Sequence, residues 1–136
     1  MIEVDELTDY LDEYLEEKQE VKNLTEETIR KQTFNISKFI EYLESEGIDE
    51  LNSDNVKKQL RHYRRHCLKK RGNKRTTVKT YMMNILEFIN SEDVQEEIQH
   101  ETIKMKDIIE VKAEDPETAK KRIEKISLTW PQSNFF

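Results

Sequence analysis

Turn-forming residues are scarce in this chain, which has 2 glycines and 2 prolines among 136 residues. Short strands joined by tight turns need many such residues, whereas long helices need few and are favoured by the abundant Glu and Lys. The length suits one domain rather than two domains with thin cores. The sequence therefore predicts an all-α protein with one compact bundle of four to five helices.

The spacing of apolar residues predicts where the first three helices lie. One covers roughly residues 4–18. A second follows a capping Thr25 and stops at Gly47, because glycine readily adopts the left-handed conformation of a helix end. A third is capped by Ser53 and ends before Gly72.

The second half of the chain predicts a central helix and shorter ones after it. Thr76 or Thr77 is expected to cap a fourth helix whose apolar residues exceed one narrow stripe, which is typical of a helix packed on several sides. Residues 92–110 suit a fifth helix or a helix pair, and residues 116–126 suit one more short helix.

Charge is distributed very unevenly along the chain. Residues 1–54 hold 17 acidic and 5 basic side chains, residues 55–86 hold none and 11, and residues 87–136 hold 12 and 7. We call the 11 bases of the middle part the basic segment: Lys57, Lys58, Arg61, Arg64, Arg65, Lys69, Lys70, Arg71, Lys74, Arg75 and Lys79. Because Lys and Arg release condensed counterions when they neutralise phosphates, duplex DNA is the predicted partner.

Helical spacing places these bases on one side of the predicted third helix. Lys57, Arg61, either Arg64 or Arg65, and Lys69 can share its outer side, while the apolar residues face inward. At the turn that follows, Lys74 and Arg75, with the hydroxyl of Thr76 or Thr77, are expected to converge with backbone N–H groups at the start of the fourth helix. This arrangement is typical of a phosphate site.

Other interpretations of the basic segment remain open. A charged run is often only a solvated helix face, although such faces usually mix both signs. The bases could instead dock on the acidic N-terminal helix of the same chain or of a second copy, giving self-association, or the protein could be a helical protein-interaction module. A milder version has Asp9, Asp12, Glu13 and Glu16 mask the bases until DNA displaces them.

Two stretches carry a resemblance to a known family. The first is Thr28-Ile29-x-x-Gln32-x-x-Asn35-Ile36-x-x-Phe39-x-x-Tyr42-Leu43, then Gly47-Ile48; the second is Arg71-Gly72-Asn73-Lys74-Arg75-Thr76-Thr77-Val78-x-x-Tyr81, then Ile85-Leu86 and Phe88-Ile89. In order and spacing they resemble the core-binding, SAM-like domain of tyrosine recombinases of the phage-integrase family, over about residues 7–100. Gln32 stands where that family usually has an aromatic residue.

The resemblance implies an orthogonal, SAM-like bundle that forms one jaw of a clamp around duplex DNA. Such a jaw contacts phosphates and the major groove, while a separate catalytic domain of the same recombinase closes the clamp and cleaves the strand. We therefore expect residues 1–110 to be the core-binding domain. Residues 111–136 would be a linker or the start of a catalytic domain, which they are too few to complete.

The expected DNA-binding residues come from two sources. By resemblance, Thr28 and Lys31 match the DNA-facing start of the family's first core helix, and Lys74, Arg75, Thr77 and Lys79 match its second contact region. The charge and capping patterns add further candidates, which are Arg61, Arg65, Lys69, Lys70, Arg71 and Thr76.

Catalytic and metal chemistry has no support in the pattern. The single Cys67 excludes an internal disulfide and a cysteine-based zinc cluster. His62 and Arg65 repeat a spacing of the recombinase active site, but the other catalytic residues have no counterpart here. We expect no enzymatic activity, cofactor or metal. Because no apolar run resembles a signal peptide or membrane span, we expect a cytoplasmic protein with no membrane partner.

Overall fold

The computed structural model describes residues 1–109, which form six α-helices and one small ribbon of two strands. The helices are α1 Leu7–Lys22, α2 Glu26–Ser45, α3 Val56–Lys69, α4 Arg75–Ile89, α5 Glu92–Ile98 and α6 Met105–Ile108. Strand β1 (Ile2–Glu3) pairs antiparallel with β2 (Glu50–Leu51). The predicted all-α bundle is thus confirmed. The helix expected at 116–126 and the expected linker at 111–136 lie outside the described residues.

The core is built around α4, which packs against α2, α3, α5 and α6. The apolar stripes predicted for the second, third and fourth helices are buried, apart from the partly buried Ile29, Leu68 and Tyr81. Among the largest fully buried side chains are Phe39 of α2, Leu60 of α3, and Met82, Ile85 and Phe88 of α4. Within residues 1–109, no helix is both long and apolar enough to span a bilayer.

Both predicted ends of α2 are confirmed. The Thr28 N–H donates to the Thr25 hydroxyl at 3.2 Å, which satisfies one of the free donors of the first turn. At the other end Gly47 has φ +71°, and the N–H groups of Gly47 and Ile48 donate to the carbonyls of Glu44 and Leu43. These two bonds form the Schellman ending that the glycine predicts.

The predicted N-cap of α3 is wrong by two residues. The helix begins at Val56 with Asn55 at the N-cap, rather than being capped by Ser53. The Asn52 side-chain oxygen accepts from the backbone N–H groups of Asp54 and Asn55, each at 2.9 Å. This local turn competes with the helix and delays its start.

The predicted N-cap of α4 is also wrong. Thr76 and Thr77 lie inside the first turn, and Lys74 occupies the N-cap in an extended conformation. The chain leaves α3 through Gly72 at φ +67°, and the Val78 N–H already donates to the Lys74 carbonyl at 3.0 Å. The geometry of the turn therefore starts the helix before either threonine can act as a cap.

The two-stranded ribbon is a feature that the helical pattern did not predict. Its register pairs Ile2 with Leu51, and the Val4 N–H donates to the Asp49 carbonyl at 2.8 Å. Ile2 and Leu51 are fully buried against the helices. The strands have two residues each, too few for an alternating pattern. The ribbon moves the start of the first helix from residue 4 to Leu7, and a short 3₁₀ turn lies between them.

One charged side chain is buried where α1, α2 and α4 meet. Lys18 is 6% exposed, donates to the Tyr14 hydroxyl at 3.2 Å and to Gln32 Oε1 at 3.0 Å, and forms an ion pair with Glu87. Burial raises the pKa of Glu87, but hydrogen bonding and attraction from Lys18, with help from Lys22, outweigh it and the pKa is lowered. Gln32 therefore supplies an acceptor to a buried ammonium.

The two partners of this ion pair are predicted to respond unequally to mutation. Glu87→Ala leaves Lys18 buried without its carboxylate and should cost about 1–3 kcal/mol of unfolding free energy. Lys18→Met leaves Glu87, which is 42% exposed, accessible to water, and should cost less than about 1 kcal/mol. Urea denaturation measures both values. Equal losses would mean that the Lys18 site tolerates an unpaired charge.

Acid should weaken the fold through His100. Burial lowers the pKa of His100 below its usual 6.5, and the positive charge of Lys57 lowers it further. The imidazole of His100 is therefore protonated more readily in the unfolded chain than in the folded one. As a result, the contribution of His100 to the unfolding free energy is fully present above about pH 6.5 and is lost as the pH falls toward the folded-state pKa. His100→Gln should reduce the difference in unfolding free energy between about pH 8 and pH 5.5. An unchanged difference would contradict this assignment.

Candidate nucleic-acid interface

The basic segment is a largely exposed surface, and most of its bases have no acidic partner among the described residues. All of its side chains are exposed except Arg61 and Arg64, which are half-buried. Leaving Arg65 aside, none of them forms an ion pair with a carboxylate in the part of the chain that the structure describes. Their positive charge is therefore not neutralised by the described residues.

The lysines that do form ion pairs lie elsewhere in the fold. Lys18 and Lys22 pair with Glu87, Lys31 pairs with Glu27 at 3.4 Å, and Lys38 pairs with Glu41 at 3.3 Å. All of these are on α1 or α2. Four of the five cations on those helices are thus paired, whereas the bases of α3 and the α3–α4 turn, leaving Arg65 aside, form no ion pair with a described carboxylate.

Two of the predicted contacts also hold the fold together. Arg61 donates through Nε and Nη2 to the Asp107 carbonyl at 3.2 and 3.0 Å, which attaches α3 to the end of α6. Arg71 donates through Nη1 to the Tyr63 hydroxyl at 3.4 Å and lies over the Tyr81 ring. Arg61 is consequently less available for a phosphate than its place on the helix predicts. Arg71 is exposed but orientated by its contacts.

An aromatic cluster anchors the middle of α3 behind these bases. The Tyr63 ring lies 5.2 Å from the rings of Phe39 and Tyr42, and His66 lies 5.0 Å from Tyr42. Burial raises the pKa of Tyr63 well above its usual range, so its hydroxyl stays protonated and can accept from Arg71. Tyr63 is thus a core residue on the inner face of α3.

The α3–α4 turn brings cations to the free end of a helix. Lys74 occupies the N-cap of α4 and Arg75 its first position, and no side chain caps the N–H groups of this turn. Lys70, Lys74, Arg75 and Thr76 are all exposed, and Thr77 is half-buried. The free N–H groups and these side chains can together bind an anion, since a helix N-terminus attracts negative charge.

The starts of α3 and α4 depart from a rule that the other four α-helices follow. The first turns of α1, α2, α5 and α6 contain acidic residues, which a helix dipole favours, whereas those of α3 and α4 contain none. A lysine at the N-cap of α4 adds positive charge to an end that is already positive. Local helix stability does not explain that choice, but an anionic ligand would.

The remaining predicted residues line a groove between α2 and α4. Thr28 and Lys31 border this cavity of about 570 Å³, with Tyr81 of α4 opposite them. The Thr28 hydroxyl is 2.9 Å from that of Thr25. These two residues therefore lie beside the middle of α4, whereas Lys74 and Arg75 lie at its beginning. The expected residues thus lie in two regions, one beside the middle of α4 and the other on α3 and around the start of α4.

The groove also contains a pair of amide side chains whose contact the sequence pattern did not predict. Asn35 Nδ2 of α2 donates to Asn84 Oδ1 of α4 at 2.9 Å. The two residues are 49 positions apart, so no local spacing could have indicated their contact. Within residues 1–109, no group of three or more His, Cys, Asp or Glu is placed to hold a metal ion.

Replacing the N-cap lysine should stabilise the protein. Lys74→Asp supplies a cap acceptor and removes a positive charge from the helix end, so we expect about 1 kcal/mol more unfolding free energy. In thermal denaturation the melting temperature should rise by roughly 4 °C. Lys79→Asp makes the same charge change inside the helix and should gain less. If the two variants gain the same unfolding free energy, the cause would be a general decrease of charge repulsion and not the cap.

Comparisons with known proteins leave the fold without an assigned family. No protein-family model matches the chain, and no curated protein or solved structure matches it either. The resemblance to tyrosine recombinases therefore depends on the two stretches around α2 and α4. The function must be inferred from the charge and geometry of the described residues.

Proposed function

We propose that this chain binds duplex DNA through the basic segment, as the core-binding domain of a tyrosine recombinase. The observation that carries the proposal is the exposed run of bases on α3 and the α3–α4 turn, which, leaving Arg65 aside, forms no ion pair with a described carboxylate. Phosphates at regular spacing are the ligand that such a surface suits best.

The start of α4 would contact the backbone of the duplex. Its free N–H groups, the side chains of Lys74 and Arg75, and the hydroxyl of Thr76 lie close together along the chain. Contacts of this kind position a protein on DNA without selecting a sequence. Lys69 and Lys70, at the end of α3, extend the same charge toward neighbouring phosphates.

The proposed mechanism assigns grasping to this chain and chemistry to another domain. Among the described residues, Tyr63 is buried and Tyr42 and Tyr81 are half-buried in the core, where each packs against neighbouring helices. Strand cleavage would therefore come from the catalytic domain of the same recombinase. The recombinase part of the proposal depends on the sequence motifs, whereas DNA binding has the additional support of the charge distribution.

Self-association through opposite charges is the competing use of the same surface. The acids Asp9, Asp12, Glu13 and Glu16 are exposed on α1, which packs mainly on α2 rather than on α3. An acidic surface is therefore available to a second copy. The experiment below separates the two uses, because self-association needs no DNA.

Reversing the charge at the start of α4 should abolish most DNA binding. Lys74→Glu with Arg75→Glu should weaken binding to a fluorescent random-sequence duplex at least about tenfold, because two phosphate contacts become repulsive. The loss should be the same for every DNA sequence. Fluorescence anisotropy measures the affinity, and circular dichroism verifies the fold.

Two single substitutions provide the matched control. Lys22→Glu makes the same change in charge as Lys74→Glu alone, on an exposed part of α1, and should change the affinity little, whereas Lys74→Glu should weaken it. Unchanged affinity in the double variant would contradict the proposed site. Failure of the unmodified chain to bind any duplex, with dimers present in sedimentation, would replace the proposal with self-association.

A further inference from the structure

The groove between α2 and α4 presents a donor and an acceptor side by side. One hydrogen bond joins the amides of Asn35 and Asn84, and this bond uses the nitrogen of one and the oxygen of the other. The second oxygen and the second nitrogen have no partner among the described residues, and neither is buried. Whichever way the amides are turned, one such bond leaves one amide oxygen and one amide nitrogen without any partner in the pair.

Of the four bases, adenine alone carries an acceptor and a donor together on its own major-groove edge. Adenine offers the N7 acceptor beside the N6 amino donor, whereas guanine offers two acceptors, cytosine a donor and thymine an acceptor. We infer that Asn35 and Asn84 together read an adenine of the bound duplex. The Asn35 oxygen would accept from N6, and the Asn84 nitrogen would donate to N7. This inference rests on the proposed DNA binding and adds a base preference to it.

Two exposed apolar side chains flank the amide pair. Phe34 precedes Asn35 on α2, Met83 precedes Asn84 on α4, and each is 54% exposed. Lys38 Nζ lies 5.3 Å from the centroid of the Phe34 ring, and the exposed parts of both side chains are available to an apolar group of a ligand. The thymine paired with adenine carries a methyl group in the major groove, which an apolar side chain can contact.

The charges around the groove suit the same ligand. Arg30 and Lys31 line it, and no acidic residue of residues 1–109 does. Lys79 is exposed on α4, one residue before Thr80, which also lines the groove. A base pair presented here would bring its flanking phosphates toward cations, so the groove extends the surface that begins at Lys74.

The test uses the full chain and three short duplexes of equal length. One contains only A·T pairs in irregular order, one contains only G·C pairs, and the third is the A·T duplex with 7-deazaadenine, which lacks only the N7 acceptor. Anisotropy titrations should show about tenfold tighter binding to the A·T duplex than to the G·C duplex. The 7-deazaadenine duplex should lose most of this preference.

A protein variant tests the same contact from the other side. Asn84→Ala should bind the A·T and G·C duplexes equally, with the G·C affinity unchanged. Gln19→Ala, which removes an exposed amide from α1, should keep the preference. If Asn84→Ala fails to fold, the 7-deazaadenine comparison decides the question with the unmodified chain.

The outcomes separate this inference from the proposed function. Equal binding of the unmodified chain to A·T and G·C duplexes overturns the inference that Asn35 and Asn84 recognise adenine, and leaves the proposed DNA binding unaffected. A preference that survives 7-deazaadenine also overturns it, because groove shape rather than N7 would then be recognised. No binding to any duplex overturns both proposals together.

Discussion

Packing of the inner face of α3 opposes the repulsion among the bases on its outer face. Bases such as Lys57, Arg61 and Arg65 follow one another at intervals of four residues, and each like-charged pair costs about 0.2–0.5 kcal/mol. Full burial of Leu60 or Val56 contributes about 1.5–3 kcal/mol each. Packing therefore exceeds repulsion, and the helix can keep an outer face that no local rule would favour.

The fold uses some of these bases itself and leaves the others exposed. Arg61 holds the end of α6, and Arg71 joins the α3–α4 turn to the buried Tyr63. Such contacts use polar groups of the protein and no carboxylate, so they fix the position of the bases without neutralising them. The positive potential of the surface is retained, although residues 1–54 carry a net charge of −12.

A second departure from helix stability occurs where α4 begins. The cap of α2 is a threonine followed by two glutamates, whereas the cap of α4 is a lysine followed by an arginine. The difference amounts to about 1 kcal/mol of local stability. A site that binds phosphate has to keep its donors free and its charge positive, which conflicts with good capping. The cap could not be predicted from threonine preferences, because the turn through Gly72 starts the helix before either threonine.

Local patterns predicted the parts of the fold that depend on local forces. The stripes of α2, α3 and α4, the Thr25 cap and the Gly47 ending each follow from spacing or from one residue's conformational preference. The ion pair of Lys18 is a contact that local patterns could not predict. Periodicity places it in line with Leu11 and Leu15, but its partner Glu87 is far away in sequence. The Asn35–Asn84 pair and the β1–β2 ribbon are distant contacts of the same kind, and only the assembled bundle brings them together.

The salt dependence of DNA binding tests the central claim most directly. The full chain is titrated into a short random-sequence duplex at several salt concentrations between about 50 and 200 mM. If the basic segment binds phosphates, the logarithm of the affinity should fall linearly with that of salt, by about 0.9 per phosphate contacted, and the affinity should drop at least about a hundredfold. Affinity that hardly responds to salt, or no binding at the lowest salt, would contradict the account.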